Sequence, residues 1–187
     1  MKSIARRKAA GRKVEIWFQD EARVGQVGRT GRVWFERGQR PRGPRDMRHK
    51  AAWIFGAVCP ARDIGVALVL PAATTEAMQA FLGELALAVP ADRHAVLLID
   101  RAGWHTARRL RWPENVRPLH LPPYSPELNA IERVWLYLKE RFLSHRVFED
   151  MTAIIDACCE AWNNLLAETG RIRSLANMPW LKQVKPL

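Results

Sequence analysis

The run "AVLLID", Ala95 to Asp100, places five apolar residues in succession and closes them with an acid. A half-exposed strand alternates apolar and polar residues. A short unbroken apolar run bounded by polar residues instead fits a central strand covered on both faces, and so a sheet with helices on its two sides. The rest of the chain supplies the parts. "VEIWFQD" alternates, with Val14, Ile16 and Phe18 on one side and Asp20 on the same side at its end. Segments around 32–38, 51–59 and 64–70 read as further strands, the latter two joined by the turn-like "CPARD". "TTEAMQAFLGELALAV" has helical spacing with Thr74 or Thr75 as its cap, a short helix follows from about Trp104, and "VRPLHL" gives one more strand. The class is α/β.

Two of these strands end in aspartates, Asp20 and Asp100. In sheets with flanking helices, ligands bind at the carboxyl ends of parallel strands, so both acids are expected to face one crevice. A third acid follows in "LPPYSPELNAIERVWLYLKERF". Ser125 suits an N-cap, Pro126 the first helical position and Glu127 the positive helix end. Leu128, Ile131, Trp135, Leu138 and Phe142 then draw one apolar stripe. At roughly 100° per residue, Glu132 falls about 40° from Leu128, at the margin of that stripe, where a side chain reaches a cleft while the helix stays packed. Three carboxylates in one crevice repel one another unless cations occupy it. Asp20, Asp100 and Glu132 are therefore expected to be catalytic acids that hold two Mg2+ ions, with Mn2+ able to substitute. Two such ions about 3.5–4 Å apart activate a hydroxyl and stabilise a leaving phosphodiester oxygen.

The charge points to the substrate. Residues 1–50 carry 15 Lys and Arg against 5 Asp and Glu, so +10 of the formal +11 lies there. Arg29, Arg32, Arg37, Arg40, Arg42 and Arg45, interrupted by Trp34 and Phe35 and broken by Gly and Pro, are the expected contacts to the phosphates of double-stranded DNA. The length of 187 residues and a 48% hydrophobic content fit one domain over residues 1–187 with a basic segment at 1–13. Three cysteines form no CxxC pair and no even framework, which favours a reducing, cytoplasmic home over disulfides or structural zinc. No apolar run approaches the ~20 residues of a membrane span, and the basic start leads into a strand rather than a signal-peptide core.

With these residues in place the chain resembles the DDE transposases of bacterial insertion sequences, in the mariner-related branch, insertion-sequence family six-thirty. "WFQDEARVG" is similar to the family's first-aspartate strand, "LLIDRAGWHTA" to its second-aspartate strand and Trp-His turn, and "LPPYSPELNAIERVWLYLK" to its third-acid helix. Positions 100 and 132 leave 31 residues between them, in keeping with the family's spacing. The sequence departs from the family at Arg101, where Asn is frequent, and at Ala130, where Pro is usual. The resemblance implies a ribonuclease-H-like fold with a mixed central sheet flanked by helices. It also implies two-metal cleavage of DNA at element ends, transfer of the 3′-hydroxyl into TA-containing target DNA, and a homo-oligomer on DNA in the bacterial nucleoid. Members carry an N-terminal helix-turn-helix region, whereas 13 residues precede the first strand here. End recognition is thus expected to call on a separately encoded helix-turn-helix chain or on a longer parent chain. The competing readings are a metal-dependent nuclease without strand transfer and an inactive remnant that only binds DNA.

Several other residues carry expectations. Glu21 points opposite to Asp20 on an extended strand and reads as an ion-pair partner more than a fourth metal ligand. His105 reads either as a structural histidine or as a residue at the edge of the site. Trp104, Trp112, Trp135 and Trp162 read as core, and "MTAIIDACCEAWNNLL" as a closing helix with Ile154, Ile155, Cys158 and Trp162 inward.

Overall fold

The computed structural model describes residues 11–27, 34–39, 48–123 and 125–183, the side chains of 182 and 183 excepted. Five strands form one mixed sheet: β1 (Lys13–Gly25), β2 (Ala51–Cys59), β3 (Ile64–Leu70), β4 (Arg93–Ile99) and β5 (Val116–His120), in the order β3-β2-β1-β4-β5. β1 pairs antiparallel with β2, and β2 with β3, whereas β4 runs parallel to both β1 and β5. The "AVLLID" run is central, as its composition requires. The other expected strands at 51–59 and 64–70 form, while residues 34–38 are irregular and 32 and 33 lie outside the described residues.

Helices cover both faces. α1 (Thr75–Ala88) begins at Thr74, whose hydroxyl accepts from the Ala77 amide at 3.1 Å. Its Met78, Phe81, Leu82 and Leu85 bury against Trp17, Phe55, Leu97 and Ile99. After β4 comes the single turn α2 (Gly103–Thr106). The opposite face takes α3 (Ile131–Leu138), α4 (Met151–Ala167) and α5 (Arg171–Leu175), packed over Phe18, Ile54, Val58 and Leu98. Trp17 and Phe18 are both wholly buried, one on each face, as the period of two dictates. Each such side chain contributes about 1.5–3 kcal/mol by leaving water. Ile154, Cys158 and Trp162 of α4 turn inward as expected, and Ile155 is half-buried. Trp135 and Trp162 are core residues, and Trp104 and Trp112 pack at the margin of the α1 face. Among the described residues no helix is long and apolar enough to cross a membrane.

The segment entering α3 differs from the continuous helix expected from Ser125. Pro126–Leu128 form one 3-10 turn, Asn129 is extended at φ −94° and ψ 104°, and the α-helix begins after Ala130. The reason is tertiary. Asn129 Nδ2 donates to the carbonyl of Gln19 at 2.9 Å, tying this loop to β1, and that bond competes with continuous helix geometry. Ser125 caps nothing; its hydroxyl donates to the Pro123 carbonyl at 3.3 Å. A π turn over Lys139–Leu143 ends the helix and buries Leu143.

Candidate functional site

Asp100 immediately follows β4 as expected, but β1 does not end at Asp20: it runs on to Gly25 along β2, and Asp20 lies just past the stretch, ending at Phe18, that pairs in parallel with β4, which brings the two acids close together. Glu132 stands in the first turn of α3, its amide donating to the Asn129 carbonyl at 3.2 Å. All three line one open cavity of about 380 Å³, together with Arg101, Asn129 and a wall of prolines that includes Pro122 and Pro123. The tether from Asn129 to Gln19 fixes the start of α3 one residue from Asp20 along β1, and so sets where Glu132 enters.

Each aspartate is held from a different side. Trp135 Nε1 donates to Oδ2 of Asp20 at 3.2 Å from the α3 face. Asp100 is gripped from the α1 side, where His105 Nδ1 stands 2.7 Å from its Oδ1 and the Ala102 amide donates to the same oxygen at 2.9 Å. The other ring nitrogen of His105 stands 2.9 Å from Oε1 of Glu21, which also accepts from Gln19 Nε2 at 2.8 Å. Glu21 therefore has the ion-pair role that alternation along β1 assigned it, and its partner is His105. The expectations for His105 merge: it is buried, and it touches an acid of the site.

The electrostatics reflect crowded negative charge. Burial first, and then the charges of Glu132, Glu21 and Asp100, push the Asp20 carboxyl up to about 7, although the Glu21 amide opposes the rise by hydrogen bonding. Burial alone lowers the His105 imidazole, but the hydrogen bond and charge of Glu21, followed by those of Asp100, outweigh it and hold the ring above its ordinary range. A ring facing an ionised carboxylate through each nitrogen donates to both only when it carries hydrogens on both.

A hard divalent cation fits this donor set in kind: three carboxylates, no sulfur, and a buried acid whose charged form is disfavoured until positive charge arrives. Asp20, Asp100 and Glu132 could hold it. Among the described residues, no three His, Cys, Asp or Glu side chains stand close enough to form a ready-made cage. The acids share a cavity, with the side chain of Asp100 55% exposed and Glu132 exposed at its rim.

Of the expected DNA contacts, Arg37 is described and exposed; Arg29, Arg32, Arg40, Arg42 and Arg45 lie outside the described residues. Sequence reasoning missed Asn129, Trp135 and Gln19 as supports of the acids. The one available signal was proximity, because Gln19 precedes Asp20 and Asn129 and Trp135 flank Glu132 at three residues on either side.

A 3-2-1-4-5 mixed sheet with helices on both faces, one acid within β1 and another just past the end of its parallel neighbour β4, defines a ribonuclease-H-like fold. The same fold occurs in Mos1 transposase: this chain superimposes on the Mos1 mariner paired-end complex with Mn at a TM-score of 0.64, with 17% identity, over 93% of this chain and 54% of that one. The Mos1 strand transfer complex gives 0.57 and 18% identity over 94% and 58%. The chain thus spans a little over half the length of the Mos1 chains. The DDE superfamily endonuclease family matches residues 15–155, and the chain belongs to that family. An uncharacterised protein of Sinorhizobium fredii is 46% identical over 129 residues, which make up 69% of this chain and 96% of that protein.

Proposed function

We propose that residues 1–187 act as the catalytic domain of a transposase of the mariner-related insertion-sequence branch, family six-thirty, which cleaves DNA at element ends and transfers the 3′-hydroxyl into target DNA. The observation that carries this reading is the convergence of Asp20, Asp100 and Glu132, from three separate elements, on one cavity. In the proposed roles Asp20, Asp100 and Glu132 would hold two divalent ions between them. Bound Mg2+, or Mn2+ in its place, would supply activation of the attacking hydroxyl and neutralisation of the leaving oxygen. Both steps exchange one phosphate ester bond. In the first, water oxygen bonds to phosphorus as the bond to the element's 3′ oxygen breaks, leaving a 3′-hydroxyl. In the second, that 3′ oxygen bonds to a target phosphorus and the target's own 3′ oxygen leaves.

The chain's residues bind and orient. Asn129 holds the Glu132 turn to β1, Trp135 turns Asp20 toward the cavity, and the walls of Pro122 and Pro123 limit how the DNA backbone can enter. Arg29, Arg32, Arg37, Arg40, Arg42 and Arg45 supply phosphate contacts, consistent with the +10 charge of residues 1–50. The Mos1 structures are paired-end and strand transfer complexes, and they support a homo-oligomer on DNA here. A helix-turn-helix region, on a separately encoded chain or on a longer parent chain, would then supply end recognition in the bacterial nucleoid.

The test is incubation of the protein with a pre-nicked element-end duplex, a TA-containing target duplex and Mn2+, followed by sizing of products. Joined strands are the expected result. Cleavage without joining would replace transfer with a nuclease activity, and bound but intact DNA would leave only a DNA-binding remnant.

A further inference from the structure

Asp100 follows the last residue of β4 and its side chain is half in solvent, a position in which a carboxylate normally samples several rotamers. Here it does not hang free. Its Oδ1 takes two donors, the Ala102 amide in a local turn and the His105 ring. No described residue bonds its Oδ2. The His105 side chain is fully buried and that of Glu21 nearly so, at 4% exposure, and Glu21 is in turn steadied by Gln19 on the same strand. A rigid line, Gln19 to Glu21 to His105 to Asp100, thus runs from β1 under the sheet to the rim of the cavity, on the face opposite Trp135. A histidine that merely fills space does not need an acid at both nitrogens.

We propose that His105 is a positioning residue for the metal site: braced by Glu21, it takes Oδ1 of Asp100 and leaves Oδ2 as the single oxygen that Asp100 offers to a divalent ion. The inference rests on the reading of Asp100 as a ligand. Its physical content is that carboxylates which ligate metals are themselves held by hydrogen bonds, and that loss of such a partner weakens metal binding typically about 10–100-fold. The ring's two ends have separable tasks. The side-chain nitrogen of asparagine occupies the place of Nδ1 and can still hold Asp100; that of glutamine occupies the place of Nε2 and can still meet Glu21.

The experiment titrates Mn2+ into the full chain and follows the free-ion signal by electron paramagnetic resonance, with thermal melts run alongside. His105→Ala and His105→Gln are expected to weaken Mn2+ binding by about tenfold or more, while His105→Asn stays within about threefold of the unaltered protein. A purely structural histidine would give the reverse order or none: Asn no better than Gln, or all three variants binding Mn2+ normally with only the melting temperature lowered. Either result overturns the proposal. If the alanine variant does not fold, the Asn and Gln pair decides. An unaltered protein that binds no Mn2+ would overturn the metal-site reading itself, whereas normal binding by it and by every variant would overturn the role of His105 alone.

Discussion

The indole of Trp135 lies across Gly56 and donates from Nε1 to Oδ2 of Asp20, the residue that pairs with Gly56 across β1 and β2. A Cβ built on Gly56 would stand 3.0 Å from Cζ2 of that ring and closer still to Cη2, so the bare backbone of β2 is what lets the indole reach the acid. Gly65 makes room for Trp162 in the same way on β3.

Gly56→Ala should therefore displace the Trp135 ring and release Asp20. Trp135→Phe removes the donor while keeping most of the packing. Stability should drop by about 1–3 kcal/mol for either change, from a disturbed core and a lost hydrogen bond to a buried acid. DNA cleavage should fall further than the loss of folded protein explains, by about tenfold at a temperature where both variants are folded. Chemical melts paired with cleavage rates on the pre-nicked duplex check this. Equal rates after correction for the folded fraction would make Trp135 a packing residue only.

A second expectation follows from Asp20. Its carboxyl is pushed from 3.8 to about 7, by burial first and then by its acidic neighbours, so folding disfavours its charged form. The sign is fixed by linkage: with the folded value above the unfolded one, the stabilising contribution is complete below about pH 4 and is lost as pH rises toward 7. At 1.36 kcal/mol per pKa unit the loss is at most about 4 kcal/mol. The raised His105 adds a slope of the same sign, lost as pH passes its own elevated value. The metal-free protein should thus melt at lower temperature at pH 8 than at pH 5. Asp20→Asn should flatten that dependence and raise the melting temperature at pH 8, and added Mn2+ should do the same for the unaltered protein. Melting curves in chelator across this range, with and without the substitution, make the comparison.

The acid positions were legible before the fold because their signals are local. A run such as "AVLLID" fits a central strand, and alternation along β1 put Asp20 on the side of Phe18 and Glu21 on the other. What stayed hidden depends on register. Nothing in the sequence says that Gly56 faces Asp20, and Glu21 meets a histidine 84 positions away only because β1 and β4 are neighbours. The entry to α3 was misread for a related reason. Ser125 and Pro126 are good helix starters, but a tertiary bond from Asn129 to β1 outweighed them and moved the start to Ile131.

Salt dependence separates two kinds of basic residue. Arg101 is exposed at the cavity that holds the three acids and makes no hydrogen bond or ion pair with a described residue, which leaves its guanidinium available for a substrate phosphate. Replacing Arg37, Arg40, Arg42 and Arg45 together with alanine should weaken binding to any duplex and flatten the plot of log affinity against log salt by roughly 0.9 per lost contact. Arg101→Ala removes at most one contact, about 0.9 in that slope, yet should slow cleavage more than the fourfold change does once DNA is saturating. An unchanged slope in the fourfold variant would move the DNA path away from residues 37–45.

The sharpest division of chemistry from binding uses Asp100→Asn and Glu132→Gln, which keep side-chain shape and remove the negative charge that would hold a divalent ion. Loss of one ligand from a two-metal site removes charge stabilisation of several kcal/mol, and each 1.36 kcal/mol costs tenfold in rate, so cleavage and joining should fall below detection. Affinity for DNA without metal should hold or rise slightly, because a carboxylate that repels phosphate has been neutralised. Glu127→Gln is the control. Glu127 is exposed in the 3-10 turn before α3, does not line the cavity, and is separated from Glu132 by the bend at Asn129. Its loss should leave both activities within about twofold, since an exposed carboxylate near a helix start contributes about 0.3–1 kcal/mol to folding and nothing to the reaction. Rates measured at saturating DNA, with binding followed separately by fluorescence anisotropy, distinguish the two effects. An active Glu132→Gln protein beside a dead Glu127→Gln protein would transfer the third acid's role to the turn and remove α3 from the proposed site.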